Sequence, residues 1–135
     1  MANLSAMPNL EPLASREYWL ASEPPRELEY LTRRPARGMF STADDMAHYM
    51  IAHLQDGRYA DQRILKEATA HAMHTIQWRG NPGAPGIAIV FYQDIGNGRF
   101  VLQHGGDLAC QHSNLWLVPS ASQRSYHFLT FDLAY

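Results

Sequence analysis

The residues in this chain able to do chemistry are histidines, scattered serines and one cysteine, and their densest arrangement is His104-Gly105-Gly106-Asp107. A histidine there offers a hydrogen-bond donor, a proton or a cation near neutral pH. The glycines that follow have no Cβ, so a ligand, a neighbouring strand or a reacting group can approach the backbone closely. A plain turn after a strand has the same composition, and the tetrapeptide alone leaves both readings open.

The other reactive residues group less well. Of the 7 histidines, His71 and His74 are three apart, a spacing that puts two imidazoles on one helix face. Zinc takes three or four ligands, and no cysteine or acid stands at a matching offset, so neither a metal nor a cofactor is expected. His48 and His53 are five apart, about 140° around a helix axis, and do not form a pair. Cys110 precedes His112 by two residues, which in a strand would turn both to one face, although an inert buried thiol fits as well. A Gly-x-Ser-x-Gly elbow is absent. No serine is followed three residues later by lysine, and the single lysine, Lys66, has Arg63 three positions before it. No Gly-rich loop leads from a strand into a helix to cradle phosphate.

The elements that would hold these residues follow from periodicity. Residues 1–37 carry Pro8, Pro12, Pro24, Pro25 and Pro35, a density that breaks helices and central strands. They read as an irregular segment docking on the rest through Leu13, Tyr18, Trp19, Leu20 and Tyr30, with a helical turn or two around 26–31. Ser41-Thr42-Ala43-Asp44-Asp45 is a helix start, with a hydroxyl cap and acids in the first turn. Ala43, Met46, Ala47, Met50 and Leu54 then form an apolar stripe that stops at Gly57. A second, shorter amphipathic pattern runs from Ile64 to about Thr75, and the Gly and Pro residues of 78–86 mark the change to strands. The period becomes two over 87–92, Gly96-Asn97-Gly98 makes a hairpin, and strands follow over 99–104, 113–118 and 125–131. The expected class is α+β: two helices followed by a four-stranded antiparallel sheet.

Composition sets the outer limits. A chain of 135 residues fits one domain with a real core. With 46% hydrophobic and 18% charged residues and a net charge of -2, it reads as globular. The arginines at 33, 34 and 37 lack the length and interleaved aromatics of a nucleic-acid groove, so no nucleic-acid partner is expected. One cysteine forbids an internal disulfide. The start has neither a basic end nor a sustained apolar run, and no stretch is long enough to span a bilayer, so the chain as written is expected to be cytoplasmic, without a membrane partner.

Taken in order, the pieces resemble a known family. Pro35-Ala-Arg-Gly-Met-Phe-Ser-Thr-Ala-Asp-Asp-Met-Ala-His-Tyr-Met50, then Gly57-Arg-Tyr, Ile64-Leu65, Ala68-Thr-Ala-His-Ala-Met-His-Thr75, His104-Gly-Gly-Asp107 and Leu115-Trp-Leu-Val-Pro119 resemble the serine β-lactamase-related family. That family comprises class C β-lactamases, DD-peptidases and related esterases. The likeness runs over roughly 35–130 and implies that 38–135 form the C-terminal part of the β-lactamase/transpeptidase-like fold.

In such enzymes the serine of Ser-x-x-Lys is acylated, a Tyr-x-Asn element aids proton transfer, and a Lys-Thr-Gly or His-x-Gly strand closes the site. By resemblance, His104-Gly105-Gly106 is that third element. His104 would face the substrate, Gly106 would let the strand lie against it, and the Asp107 N–H would be one oxyanion-hole donor. Ser-x-x-Lys and Tyr-x-Asn, which precede the matched region in the family, are absent from this chain. The expectation is a penicillin-recognising serine hydrolase part, inactive alone, that would act on a small-molecule ester or amide only if completed. The alternative is a non-catalytic binding or interaction module derived from the same fold. A Cys110 esterase using His112 or His104 is a third possibility. An incomplete sheet also implies self-association or a partner chain that covers it.

Overall fold

The computed structural model describes residues 12, 14–27, 39–96, 98–108, 110–120 and 123–131, with 96, 120 and 123–131 described by backbone alone. The described residues fall into two compact units, one drawn from 43–105 and 114–129, the other from 1–42, 106–113 and 130–135.

Helix α1 spans Ala43–Leu54, with Asp44 and Asp45 in its first turn, where the helix dipole favours negative charge. The Ser41 hydroxyl donates to the Thr42 carbonyl at 3.3 Å. Met50 and Leu54 point inward as the apolar stripe requires, and Ala52 and His53 are buried with them. The helix stops at Gly57, whose φ of +88° suits only a residue without a side chain and whose N–H donates to the Ala52 carbonyl at 2.8 Å.

A two-stranded hairpin follows, β1 (Arg58–Tyr59) against β2 (Gln62–Arg63), where the sequence suggested only a turn. Helix α2 covers Glu67–His74 and begins later than the apolar pattern from Ile64 implied. The N–H groups of Ile64 and Leu65 both donate to the Gly57 carbonyl, at 2.9 and 3.3 Å, which holds this stretch outside the helix. Ile64 is left exposed and Ala70 is the buried residue of α2.

The larger sheet contains β3 (Trp78–Arg79), β4 (Gly86–Ile87), β5 (Tyr92–Gly96), β6 (Arg99–Asp107), β7 (His112–Ser120) and β8 (Gln123–Phe131), in that spatial order. The class is α+β, but the sheet has six strands rather than the expected four. Two departures account for the difference. Trp78–Arg79, lying among turn residues, pairs antiparallel with Gly86–Ile87. The alternating run 87–92 is not one strand: Val90 has a φ of +75°, and the Ala88 N–H donates to the Phe91 carbonyl at 2.8 Å, so the chain reverses between β4 and β5. Ile89 is consequently exposed while Phe91 is buried. The β5–β6 hairpin falls where Gly96-Asn97-Gly98 placed it, with Gly96 opposite Arg99 and a φ of +73° at Gly98.

Met50, Leu54, Ala88, Phe91, Leu102, Leu115 and Leu117 make the core of the first unit, flanked by Met46, Tyr49, Met73 and Ile76. Burying each large apolar side chain there stabilises by about 1.5–3 kcal/mol. In the second unit Glu17 bridges Arg26 antiparallel, and the Arg26 guanidinium lies 4.6 Å from the centre of the Trp19 ring. Of the expected docking anchors, Trp19 and Leu20 are exposed and Tyr18 is half-buried; Leu13 and Tyr30 lie outside the described residues, as does most of the turn expected around 26–31. Among the described residues no helix is long and apolar enough to cross a membrane.

Candidate active-site strand

Strand β6 carries the four residues singled out from the sequence, on the run that follows its buried Leu102. His104 and Gly105 belong to the first unit, Gly106 and Asp107 to the second. His104 is exposed, and its ring centre lies 5.9 Å from that of Tyr92 on β5. Tyr92 reaches it because β5 and β6 pair with Tyr92 opposite Gln103, one residue before the histidine.

At Gly106 a side chain would crowd one neighbour. A Cβ built there would stand 2.7 Å from the Ser113 Oγ, closer than real Cβ contacts come. Asp107 is engaged through its side chain: Oδ1 lies 2.8 Å from His112 Nδ1, with the carboxylate largely exposed and the imidazole mostly covered. The crossing from β6 to β7 is closed by the Leu108 N–H donating to the Gln111 carbonyl at 2.9 Å. An aspartate and a histidine flanking so short a crossing were a legible signal, missed because His112 was paired with Cys110 instead.

Cys110 is buried, and its sulfur accepts from Arg26 Nη1 at 3.5 Å. His112 is engaged with Asp107, so each member of the suspected cysteine–histidine couple has a different partner. With only 2% of Cys110 exposed, a substrate has little access to its sulfur.

The remaining histidines are arranged in a way the sequence did not suggest. His53 of α1 and His74 of α2 meet with Nδ1 and Nε2 3.0 Å apart. His71 lies near enough to His74 on α2 to influence it, and also lies 3.7 Å from Asp56 and 3.9 Å from Glu67; His48 stacks on Tyr59 with ring centres 4.5 Å apart. Burial, reinforced by the neighbouring His74, pushes His53 down to about 4. Burial also lowers His74, which Asp56 pulls back up and His71 pushes further down. Burial raises the Tyr49 hydroxyl. Among the described residues no group of three or more His, Cys, Asp or Glu is placed to hold a metal ion.

The chain belongs to the beta-lactamase family, whose model matches residues 3–128. No curated protein and no solved structure matches it.

Proposed function

We propose that this chain contributes the third active-site strand of a beta-lactamase-family serine hydrolase that cleaves esters or amides through an acyl-serine, and that the 135 residues alone are inactive. The observation that carries this reading is the end of β6, where exposed His104 is followed by Gly106, at which a Cβ would crowd the Ser113 hydroxyl. His104 would bind an anionic group or assist proton transfer, and the Asp107 N–H would donate to an oxyanion. The nucleophile and its base are missing from the sequence in hand. In well-studied serine hydrolases their loss lowers the rate by about a millionfold. Adding benzylpenicillin to isotope-labelled chain tests the site. Amide shifts confined to 104–107 and their neighbours support it, and shifts elsewhere or none at all count against it.

A second reading, a binding module that has kept the fold, is favoured by one feature of the sheet. Trp78, Ile87 and Tyr92 are opposite one another in register across β3, β4 and β5, so they share a face, and all three are exposed, at 62%, 40% and 50%. Such a row suits self-association or a partner chain.

A further inference from the structure

The joint between α1 and α2 is made of two imidazoles, each lowered by burial from the ordinary histidine value. His53 is 1% exposed and is enclosed by the edge of Tyr49, with ring centres 4.5 Å apart, and by Phe91 at 5.2 Å. Phe91 also meets His74 at 5.7 Å. A hydrogen bond between two ring nitrogens needs one that carries hydrogen and one that is bare. Two neutral imidazoles satisfy this, and so does a pair with a single extra proton on an outer nitrogen. With both rings protonated, two N–H groups face each other at 3.0 Å and two like charges share a poorly solvated site.

We propose that the His53–His74 hydrogen bond is an acid-released clamp between α1 and α2, closed while at least one imidazole is neutral and opened when both are protonated.

Helix α2 is also held by Gln77 Nε2, which donates to the Ala72 carbonyl at 3.2 Å, and by His71, 3.7 Å from Asp56. The helix has eight residues, Lys66 supplies no side-chain cap at its start, and Ala70 is the residue it buries. Its C-terminal end, with half-buried Met73, is where the histidine bond acts, and the Met73 carbonyl there accepts from the Ile89 N–H at 3.2 Å.

The titratable groups facing the pair are Tyr49 from α1, Asp56 from the turn after it and His71 from α2, while Phe91, from the turn before β5, does not titrate. Asp56 favours a first proton on the His74 side, and its own ion pair with His71 dilutes that help. The second proton has no carboxylate to receive it among these groups. Two interacting sites of this kind titrate as a pair, in two macroscopic steps.

Imidazole nitrogen NMR of the full chain from pH 8 to 4 tests the clamp, together with chemical denaturation of the chain and of His53→Gln/His74→Gln. Two glutamine amides can hydrogen-bond at any pH. The expected result is that His53 and His74 each hold one tautomer above pH 6.5 and titrate in two linked steps below it. In parallel, the folded-to-unfolded ratio falls by roughly a hundredfold more in the unaltered chain than in the double variant. Independent single-step titrations near 6.5 would overturn the proposal, as would equal acid sensitivity in the two proteins. If the double variant does not fold, the titration of the unaltered chain decides alone.

Discussion

The Ser113 hydroxyl oxygen lies 2.7 Å from the point where a Cβ on Gly106 would stand, so a side chain at the end of β6 would force that oxygen to move. Gly106→Ala should cost about 1 kcal/mol, because a serine oxygen can rotate away. Removing that oxygen in Gly106→Ala/Ser113→Ala should recover most of the loss. Urea denaturation of the two singles and the double would show this as a coupling, and strictly additive effects would mean the contact is not what excludes a side chain. Gly57→Ala should be worse, about 3 kcal/mol. Its φ is +88°, and an added Cβ would collide with the Leu65 backbone carbonyl, which has no rotamer to change.

Stability should depend on pH through His53. Burial lowers its folded value from 6.5 to about 4. A histidine lowered in this way contributes stability that is fully present above 6.5, because the folded state favours the neutral ring, and that is lost as pH falls through about 4, where the ring charges in both states. The full contribution is on the order of 3 kcal/mol. Denaturation midpoints at pH 7.5, 6, 5 and 4 should decline across that interval, and a midpoint unchanged down to pH 4 would contradict the burial of a neutral ring.

Cys110 should be slow to react. Its side chain is buried and its sulfur accepts from Arg26. A chromogenic disulfide added to the native chain should titrate the thiol far more slowly than in the denatured chain. Equal rates would place the thiol at the surface and revive the cysteine as a candidate nucleophile.

The exposed row on the sheet should drive association. Replacing Trp78 and Tyr92 with lysine changes surface positions, so stability should move by less than about 0.5 kcal/mol. Sedimentation of the unaltered chain should show self-association that the double variant lacks. If both sediment identically as monomers, the row does not mediate self-association.

How much of this was legible in the sequence depends on what each signal measures. The start of α1, its stop at Gly57, and the β5–β6 hairpin were legible because acids in a first turn, glycines with positive φ and tight turns act locally. The 87–92 run was misleading: alternation is blind to a reversal, and Val90 adopts a left-handed conformation that its residue type disfavours. β1, β2, β3 and β4 have only two residues each, too short for any period to register. At the site, His104-Gly105-Gly106 was visible as a motif. The His53–His74, Asp107–His112 and Arg26–Cys110 contacts join residues from different elements or across a crossing, at separations that helical spacing does not sample.

The central claim, an active-site strand without its nucleophile, is tested most directly by incubating the purified chain with nitrocefin and with p-nitrophenyl acetate, and recording its intact mass after exposure to benzylpenicillin and to a fluorophosphonate. The account predicts no turnover above buffer and an unchanged mass. Turnover abolished by Cys110→Ala, or a covalent adduct on any residue, would contradict it.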